Sequence, residues 1–400
     1  MWPSMAAGKS LRKRMSNNIY ATHSEDLSET MVETQISNRG SFSPRKSFIA
    51  QETFKLFVSS WNVGGITPPD NLSLEDLLDT QNSMADIYVL GFQEIVPLNA
   101  GNILGSENSN ISKTWNALIK ETLNKRMEIE GRLQNTEFGE TPRVHPIKMH
   151  NSTNSSASDF QCIISKQLVG IYITIWVRAE LHEHISYPSV SRVGCGLLGR
   201  LGNKGAVSVR FWLWQTSICF VCSHLASGGK EGDEKQRNAD AARILSHTIF
   251  PTSPLQKLPR NILDHDRVIW LGDLNYRINL PEATTRNLVK NKEWSILLQN
   301  DQLKTELAKD HVFEGWHEEE IKFAPTYKYN QNSDDYYGCN KRIKEKKRRS
   351  PAWCDRIIWF GNGLKQIQYN RGGMRLSDHR PVQAIFMAEV DVLSNKFDDL

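Results

Sequence analysis

The sequence predicts a fold that mixes strands and helices, of the α/β or α+β class. Short apolar stretches of strand length recur along the chain, and they repeatedly end in a polar residue. Longer stretches with a helical spacing of apolar residues lie between them. The spacing alone predicts no finer architecture, because it does not say which strands pair.

In chain order, the elements form one folded region with appendages. Residues 1–50 are rich in Ser, Thr, Asn and charge and lack apolar periodicity, which predicts a disordered tail. The folded domain is predicted at 51–390, with a polar insertion at about 99–159, and 391–400 form a short C-terminal tail. Helices are predicted near 115–127, 233–247 and 292–307. The side chains predicted to point inward from the second helix are Ala239, Ala242, Ile244 and Leu245.

Six strands deliver polar side chains that suit catalysis. In chain order these are Asn62, Gln93 and Glu94, Ser223 and His224, Asp273 and Asn275, Asp355 and Arg356, and Asp378 and His379. Any one of them could belong to an ordinary turn or be a satisfied buried polar group. Six together predict a sheet edge at which one site is assembled.

The most informative of these strands is the apolar run 268–271 in VIWLGDLNYRI. It breaks at Gly272 and continues into Asp273 and Asn275, which lie two residues apart and therefore point to the same side of an extended chain. An Asp can orient or deprotonate a water, and an Asn can hold that water or a phosphate oxygen. Taken alone, this pattern would be interpreted as an Asx turn after a core strand.

Composition excludes several classes of protein. No apolar run reaches membrane-spanning length, and the N-terminus has no apolar stretch after its basic residues, so neither a membrane span nor a secretory signal is predicted. We therefore expect a cytoplasmic protein, with the nucleus or peripheral membrane contact as alternatives. Cys219 and Cys222 form a C-x-x-C pair within a strand, where they face opposite sides, so we expect packing cysteines rather than a zinc site.

Eight motifs carry a resemblance to a known family. They are SSWNVGG, GFQEIVPL, LGNKGAVSVRF, CSHLASG, WLGDLNYRI, PTYKY, PAWCDRIIW and SDHRPV. The series resembles, in content and order, that of the inositol polyphosphate 5-phosphatases of the endonuclease/exonuclease/phosphatase superfamily, and it spans residues 54–387. WLGDLNYRI and PAWCDRI are specific to the 5-phosphatases, whereas SDHRPV and GFQE are shared with nucleases. SHLASG and GFQEIVPL are most similar to plant members.

The resemblance implies a fold and a reaction. The fold is a four-layer αββα sandwich of two packed mixed β-sheets with outer helices, like that of pancreatic deoxyribonuclease. The reaction is Mg²⁺-dependent hydrolysis of the 5-phosphate of inositol polyphosphates or phosphoinositides, such as inositol 1,4,5-trisphosphate and phosphatidylinositol 4,5-bisphosphate, by in-line attack of water. The implied partners are these inositol phosphates and lipid headgroups, with no nucleic acid.

The resemblance also implies catalytic roles. Glu94 binds Mg²⁺, helped by Asn62, and Asp273 orients the attacking water. Asn275 holds that water or a phosphate oxygen. His379 donates to the scissile phosphate, and His224 assists the leaving group. Because neighbouring side chains diverge on a strand, Asp378 is expected to orient His224 rather than His379. These roles belong to Asn62, Glu94, His224, Asp273, Asn275, Asp378 and His379.

A further set of residues is implied in substrate binding. Asn203 and Lys204 resemble a phosphate-binding element, and Tyr327, Lys328 and Arg356 resemble the contacts to the 4-phosphate. Asp355 is expected to brace Arg356 or its loop, since a carboxylate would repel phosphate. Whether Lys230 and Arg277 contact substrate or are surface cations stays open.

The basic segment 341–349, KRIKEKKRR, allows several interpretations. It holds seven Lys or Arg and one Glu, so it could attract a phosphoinositide-bearing membrane, a phosphorylated inositol or RNA. It could equally be a nuclear import signal or a solvated loop tip. A shorter basic cluster at 9–14 adds to the N-terminal tail.

Two other functions compete with the phosphatase. A nuclease could use the same core, but it would need a broad basic face and would not need PTYKY or PAWCDRI. A non-catalytic phosphoinositide-binding scaffold would be indicated by loss of Asp273 or His379, and both are present. The sequence leaves open whether the substrate is soluble or a lipid, and whether one or two metal ions bind.

Overall fold

A computed structural model describes residues 48–80, 84–104, 109–137, 160–196, 201–252, 257–309, 311–339 and 349–394. All of them belong to one unit, Ser47–Leu400. The predicted tail at 1–50 and the basic loop at 341–349 lie almost entirely outside these ranges, as does the second part of the predicted insertion.

Eleven strands of the described ranges form the two middle layers. They are β1 (Phe48–Asn62), β2 (Ile87–Gln93), β3 (Phe160–Leu168), β4 (Ile171–Arg178), β5 (Ile185–Gly194), β6 (Gly205–Leu213), β7 (Thr216–His224), β8 (Arg267–Asp273), β9 (Asp355–Phe360), β10 (Leu364–Arg371) and β11 (Val382–Ser394). The first sheet has the order β10-β11-β1-β2-β4-β3 and the second the order β5-β6-β7-β8-β9. Each sheet is mixed, since it contains one parallel pair, β1 with β2 and β7 with β8.

Eight helices accompany the sheets in the described ranges. They are α1 (Glu75–Leu78), α2 (Ala100–Leu104), α3 (Ser109–Glu137), α4 (Ala179–His182), α5 (Asp233–His247), α6 (Glu282–Lys290), α7 (Trp294–Gln299) and α8 (Gln302–Leu307). None of the helices that the structure describes is both long enough and apolar enough to cross a membrane.

Alternating side chains explain the layers. In β1, Leu56 and Val58 belong to the core between the two sheets, whereas Phe57 and Trp61 point to the other face and pack with Trp115 of α3. A third core joins the outer face of the second sheet to α5. The predicted four-layer αββα sandwich is therefore confirmed.

The sheets approach each other closely near the end of β2. A Cβ atom on Gly91 would lie 2.7 Å from Leu271 Cδ1 and 2.8 Å from Cys222 Sγ, so only glycine fits between the layers. This contact joins the two parallel pairs just before their carboxyl ends, where Asn62 is in register with Gln93 and His224 is in register with Asp273. The parallel pairs of both sheets thus end at the same place.

Three predicted helices differ in detail. The pattern at 115–127 is part of the longer α3. The bounds of α5 match the prediction, but Ala239 and Ala242 are exposed and Ala241 is buried instead, because the buried polar residues Arg237 and Asp240 set the inner face.

The third predicted helix, 292–307, is two short helices. It breaks at Asp301, whose carboxylate caps α8 by accepting a bond from Lys304 N at 2.9 Å and also binds Arg356. Cys219 and Cys222 pack on opposite faces of β7, as predicted.

Candidate active site

The ends of four strands converge on two carboxylates. Asn62 at the end of β1 donates from Nδ2 to Asp273 Oδ2 at 2.9 Å and to Glu94 Oε1 at 3.4 Å. His224 at the end of β7 places Nε2 3.2 Å from the same Asp273 oxygen and 3.9 Å from the same Glu94 oxygen. Both sheets therefore contribute to one centre, as the strand ends predict.

Asp273 is the buried anion of this centre. Burial raises the pKa of its carboxyl group, but His224, His379 and Lys204 together outweigh that effect and hold this pKa well below its usual range. The other carboxylate oxygen, Oδ1, accepts a bond from the backbone N–H of Asn275 at 3.1 Å. Asp273 is therefore ionised at neutral pH, and it can accept a hydrogen bond from a reactant.

His379 is the cation of the centre, and Asp355 is its partner. The distance from His379 Nδ1 to Asp355 Oδ2 is 2.8 Å, and the distance from Nε2 to Asp273 Oδ2 is 3.9 Å. Thr326 also donates to Asp355 Oδ2, at 2.7 Å. Burial lowers the pKa of His379, but Asp355 first and Asp273 second raise it to about 9. At neutral pH His379 is an imidazolium.

Asp355 had been expected to brace Arg356 or its loop, and that expectation is wrong. Asp355 opposes Asp273 across β8 and β9, so both side chains face the catalytic centre. Strand alternation in the sequence could have indicated this, because the adjacent residues Asp355 and Arg356 must point to opposite faces of β9 and cannot pair with each other.

Arg356 faces away from the centre, which contradicts its predicted contact with substrate. Its side chain is fully buried, and its guanidinium binds Asp301 Oδ1 at 2.9 Å and Glu318 through two bonds of 2.5 and 2.7 Å. A phosphate could reach these donors only by breaking a buried ion-pair network. Arg356 is therefore a structural residue on the outer face of the second sheet.

His224 differs from His379 in charge and in partner. Burial and the nearby Lys204 lower the pKa of His224, and Asp273 and Glu94 only partly oppose them. Lys204 Nζ contacts His224 Nε2, and burial also lowers the pKa of Lys204. His224 is thus a neutral imidazole next to a buried amine.

The predicted pairing of Asp378 with His224 is wrong. Asp378 Oδ2 accepts a bond from Lys328 Nζ at 2.7 Å, while the acidic partners of His224 are Asp273 and Glu94. Asp378 and His379 do point in different directions, as adjacent residues of an extended chain should. The partner of Asp378 is Lys328 of the PTYKY motif.

Asn275 is near the centre but is already bonded. Its Nδ2 donates to Leu225 O at 3.1 Å, and its Oδ1 accepts a bond from Arg277 Nη2 at 2.5 Å. The amide thus joins the chain segments that follow β7 and β8. This geometry supports a bracing role more directly than a contact with water or phosphate.

Tyr327 connects two cations to the catalytic imidazolium. Its ring centroid lies 4.7 Å from that of His379, 4.6 Å from the Arg277 guanidinium and 5.4 Å from Lys328 Nζ. Burial lowers the pKa of Lys328, but Tyr327 and Asp378 together raise it above the usual value, so Lys328 keeps its charge. Arg277, which the sequence left open, belongs to this group.

The position of Asn203 does not support its predicted contact with phosphate. Its Oδ1 is buried and has no hydrogen-bond partner in the described part of the chain. Its neighbour Lys204 reaches the centre, but no contact of Asn203 with the centre is seen there. A phosphate-binding role for Asn203 stays a prediction.

The donor set suits a hard divalent cation at Glu94. The Glu94 side chain is 28% exposed, so its carboxylate is open to solvent, and such a site can hold a cation that keeps most of its waters. Asn62 is not placed as a direct ligand, because its Oδ1 accepts a bond from Gly64 N at 2.9 Å and its Nδ2 points to the carboxylates. Asn62 instead orients Glu94 and Asp273.

A second group of atoms could in principle hold a metal. Asp273, Asp355 and His379 each offer a ligand atom within 4.8 Å of the others. The short bond between Asp355 and the protonated His379 favours an ion-paired dyad over metal ligation here.

The chain is similar to proteins of known family. The model of "Endonuclease/Exonuclease/phosphatase family 2" matches residues 59–385. The chain is 52% identical over 400 residues to type IV inositol polyphosphate 5-phosphatase 9 of Arabidopsis thaliana, covering 98% of this chain and 92% of that protein. It is 47% identical over 344 residues to type I inositol polyphosphate 5-phosphatase 8 of the same plant, covering 84% and 71%.

Among solved structures, the chain is similar to the inositol polyphosphate 5-phosphatase domain of SPsynaptojanin. That structure was solved in complex with inositol (1,4)-bisphosphate and calcium ion. The TM-score is 0.69 at 31% sequence identity, and the match covers 86% of this chain and 87% of that one.

Proposed function

The chain belongs to the inositol polyphosphate 5-phosphatases of the endonuclease/exonuclease/phosphatase family, and we propose that the centre at Asp273 carries out the hydrolysis of the 5-phosphate. The protein is a hydrolase of inositol polyphosphates. What its own residues contribute follows from their charges and positions.

Glu94 is the proposed ligand for Mg²⁺. Carboxylate oxygens are preferred by Mg²⁺ and Ca²⁺, and the related SPsynaptojanin domain was solved with calcium ion. When bound, the cation would neutralise negative charge on the transferring phosphoryl group. Asn62 supports this role because it donates to Glu94 and so fixes the direction of the carboxylate.

Asp273 orients the attacking water. Its low pKa makes it a weak base, so it accepts a hydrogen bond from the water and takes up the proton only as the bond to phosphorus forms. Asn62 and the Asn275 backbone hold the carboxylate in place through one bond to each oxygen. Fixed geometry of this kind lowers the entropic cost of in-line attack.

His379 donates to a phosphate oxygen, and Asp355 keeps it charged for that purpose. A donor that is already cationic stabilises charge as it develops, without a proton transfer. Lys204 is the proposed proton source for the leaving inositol oxygen, and the neutral His224 that it contacts would relay the proton. The burial that lowers the pKa of Lys204 also makes it a better acid.

Tyr327 and the two cations beside it select the substrate. Its ring contacts His379 on one side and is flanked by Arg277 and Lys328. The 4- and 5-phosphates are attached to adjacent carbons of the inositol ring. A substrate with its 5-phosphate at His379 would therefore present its 4-phosphate to these cations. We therefore assign Tyr327, Lys328 and Arg277 to the 4-phosphate, in place of Arg356.

Soluble inositol phosphates and phosphoinositide lipids share this headgroup, and both are proposed substrates. The basic segments at 9–14 and 341–349 would favour contact with an anionic membrane surface. We propose a cytoplasmic or nuclear enzyme that reaches lipids as a peripheral membrane protein.

The test is release of inorganic phosphate in the presence of Mg²⁺. The substrates are inositol 1,4,5-trisphosphate, phosphatidylinositol 4,5-bisphosphate, inositol 1,5-bisphosphate and inositol 1,4-bisphosphate. The first three should be hydrolysed, the last should not, and EDTA should stop release.

Lys328→Ala should reduce kcat/KM about tenfold or more on the trisphosphate, because a charged hydrogen bond contributes roughly 1.5–3 kcal/mol. The reduction on the 1,5-bisphosphate, which lacks the 4-phosphate, should be much smaller.

A matched control is Lys322→Ala, which removes an exposed lysine paired with Glu320. It should leave all rates unchanged. Equal losses on both substrates with Lys328→Ala would remove Lys328 from the 4-phosphate site. Release of nucleotides from DNA, without release of phosphate from any inositol phosphate, would contradict the proposed function.

A further inference from the structure

Arg237 of α5 is a buried arginine outside the motifs that carry the chemistry. Its side chain has no exposed surface, and its Nη2 donates to Gln302 Oε1 at 2.6 Å. Its Nη1 donates to the carbonyls of Gly228 at 3.3 Å and Ala226 at 3.4 Å. All three acceptors are neutral, and Arg237 forms no ion pair within 4.0 Å with any carboxylate of the described residues.

These acceptors lead directly to the catalytic centre. Ala226 and Gly228 belong to the segment that leaves β7 just after His224. Gln302 holds the segment that leaves β8 after Asp273, because its Oε1 also accepts a bond from Arg277 N at 2.8 Å and its backbone N–H donates to Arg277 O at 2.9 Å. One guanidinium thus ties together the chain segments that follow two catalytic strands.

The same segments are joined on their catalytic side by Asn275, which donates to Leu225 O and binds Arg277. Helix α5 holds both segments from the other direction. Tyr276 Oη donates to Asn238 Oδ1 of this helix at 2.6 Å, and Asp240 accepts a bond from Ala226 N at 2.9 Å. Arg237 is the residue of α5 whose bonds lead to both segments, directly to one and through Gln302 to the other.

Stability does not explain why an arginine occupies this position. A buried charge that has no carboxylate partner pays a desolvation cost, and an apolar side chain of similar volume is often equal or better for stability. The fork of the guanidinium offers what an apolar side chain cannot, which is three hydrogen bonds in a fixed plane.

We infer that Arg237, acting through Gln302, is a positioning residue that sets the separation of His224 and Asp273 for phosphate hydrolysis. The inference rests on the proposed function of that centre. Neither residue contacts the reacting atoms, so their loss should affect the chemical step more than the binding of substrate. A displacement of about 1 Å in a catalytic group can cost about 100-fold in rate.

The test compares Arg237→Met with Arg210→Met. Arg210 is a matched control because it is also buried. Among the described residues its hydrogen bonds go only to backbone carbonyls, those of Pro251 and Pro259, which belong to neither catalytic segment. Both variants remove one buried guanidinium and fill a similar volume. Unfolding temperature and steady-state kinetics would be measured for each, at a temperature where circular dichroism shows both to be folded.

Arg237→Met should lower kcat by about tenfold or more with KM changed less than about threefold. Arg210→Met should lower stability without lowering kcat. Equal effects of the two variants on kcat, or no effect of Arg237→Met, would overturn the inference. If Arg237→Met does not fold, Gln302→Met decides, because it cuts the same link; a kcat equal to that of the intact protein would contradict the proposal.

A second readout does not depend on activity. The imidazole proton resonances of His224 should shift in Arg237→Met and stay in place in Arg210→Met. Unchanged resonances in both variants would overturn the positioning role even if the enzyme is active. If the resonances shift but the intact protein releases no phosphate from any inositol phosphate, the proposed function fails, and only the structural link from Arg237 to His224 is retained.

Discussion

At the scale of single residues, neighbours decide which histidine is charged. Asp355 raises the pKa of His379 to about 9, while burial and Lys204 lower that of His224. Because the folded pKa of His379 lies above the ordinary value of about 6.5, its contribution to stability is fully present below that value. It is lost as the pH rises through about 9.

Asp355→Asn should therefore move the pH dependence of the reaction. Without the carboxylate, only Asp273 and Asp378 still oppose burial, so the pKa of His379 falls from about 9 toward its ordinary value of about 6.5. The alkaline limb of kcat/KM should shift down by about two pH units, with a matching loss of rate at pH 7. The pH profile of phosphate release measures this, and an alkaline limb that stays in place would show that Asp355 does not control His379.

At the scale of elements, the strand ends were predictable, whereas the partners of several side chains were not. Apolar runs that end in Asn62, Glu94, His224 and Asp273 place these residues at one edge, because carboxyl ends of parallel strands coincide. Arg356 was wrongly predicted to bind substrate, although strand alternation places its side chain on the opposite face of the sheet from Asp355. Its acidic partners Asp301 and Glu318 come from loops whose positions no periodicity reports.

The approach of β2 to the second sheet gives a prediction at this scale. Gly91→Ala would push a methyl group into Leu271 and Cys222 and should cost about 1–3 kcal/mol in the free energy of unfolding. Urea denaturation measures the difference. Gly373→Ala is the control, since a Cβ there meets nothing within 4 Å and should leave stability equal or slightly higher. A Gly91→Ala protein as stable as the original would contradict the packing described.

At the scale of the whole molecule, the sandwich was predicted from the motif series and not from periodicity. Helical and strand spacing indicate only a mixed fold, since the pairing of β1 with β11 joins the first and the last strand, which no local pattern relates. The motifs succeed because most of them lie where a strand begins or ends beside the centre, and PTYKY adds Tyr327 and Lys328 from the segment between α8 and β9. The helix break at Asp301 and the role of Arg237 lie outside the strand-end pattern and became visible only through contacts.

The measurement that tests the central claim most directly is phosphate release from inositol 1,4,5-trisphosphate by the intact protein and by Asp273→Asn. The substitution keeps the shape of the side chain but removes the anion that His224, His379 and Asn62 surround. The intact protein should release one phosphate and leave inositol 1,4-bisphosphate. The folded variant should lose about 10²–10⁴-fold in kcat. Release by a folded Asp273→Asn protein within a few-fold of the original rate would contradict the catalytic role assigned to this centre.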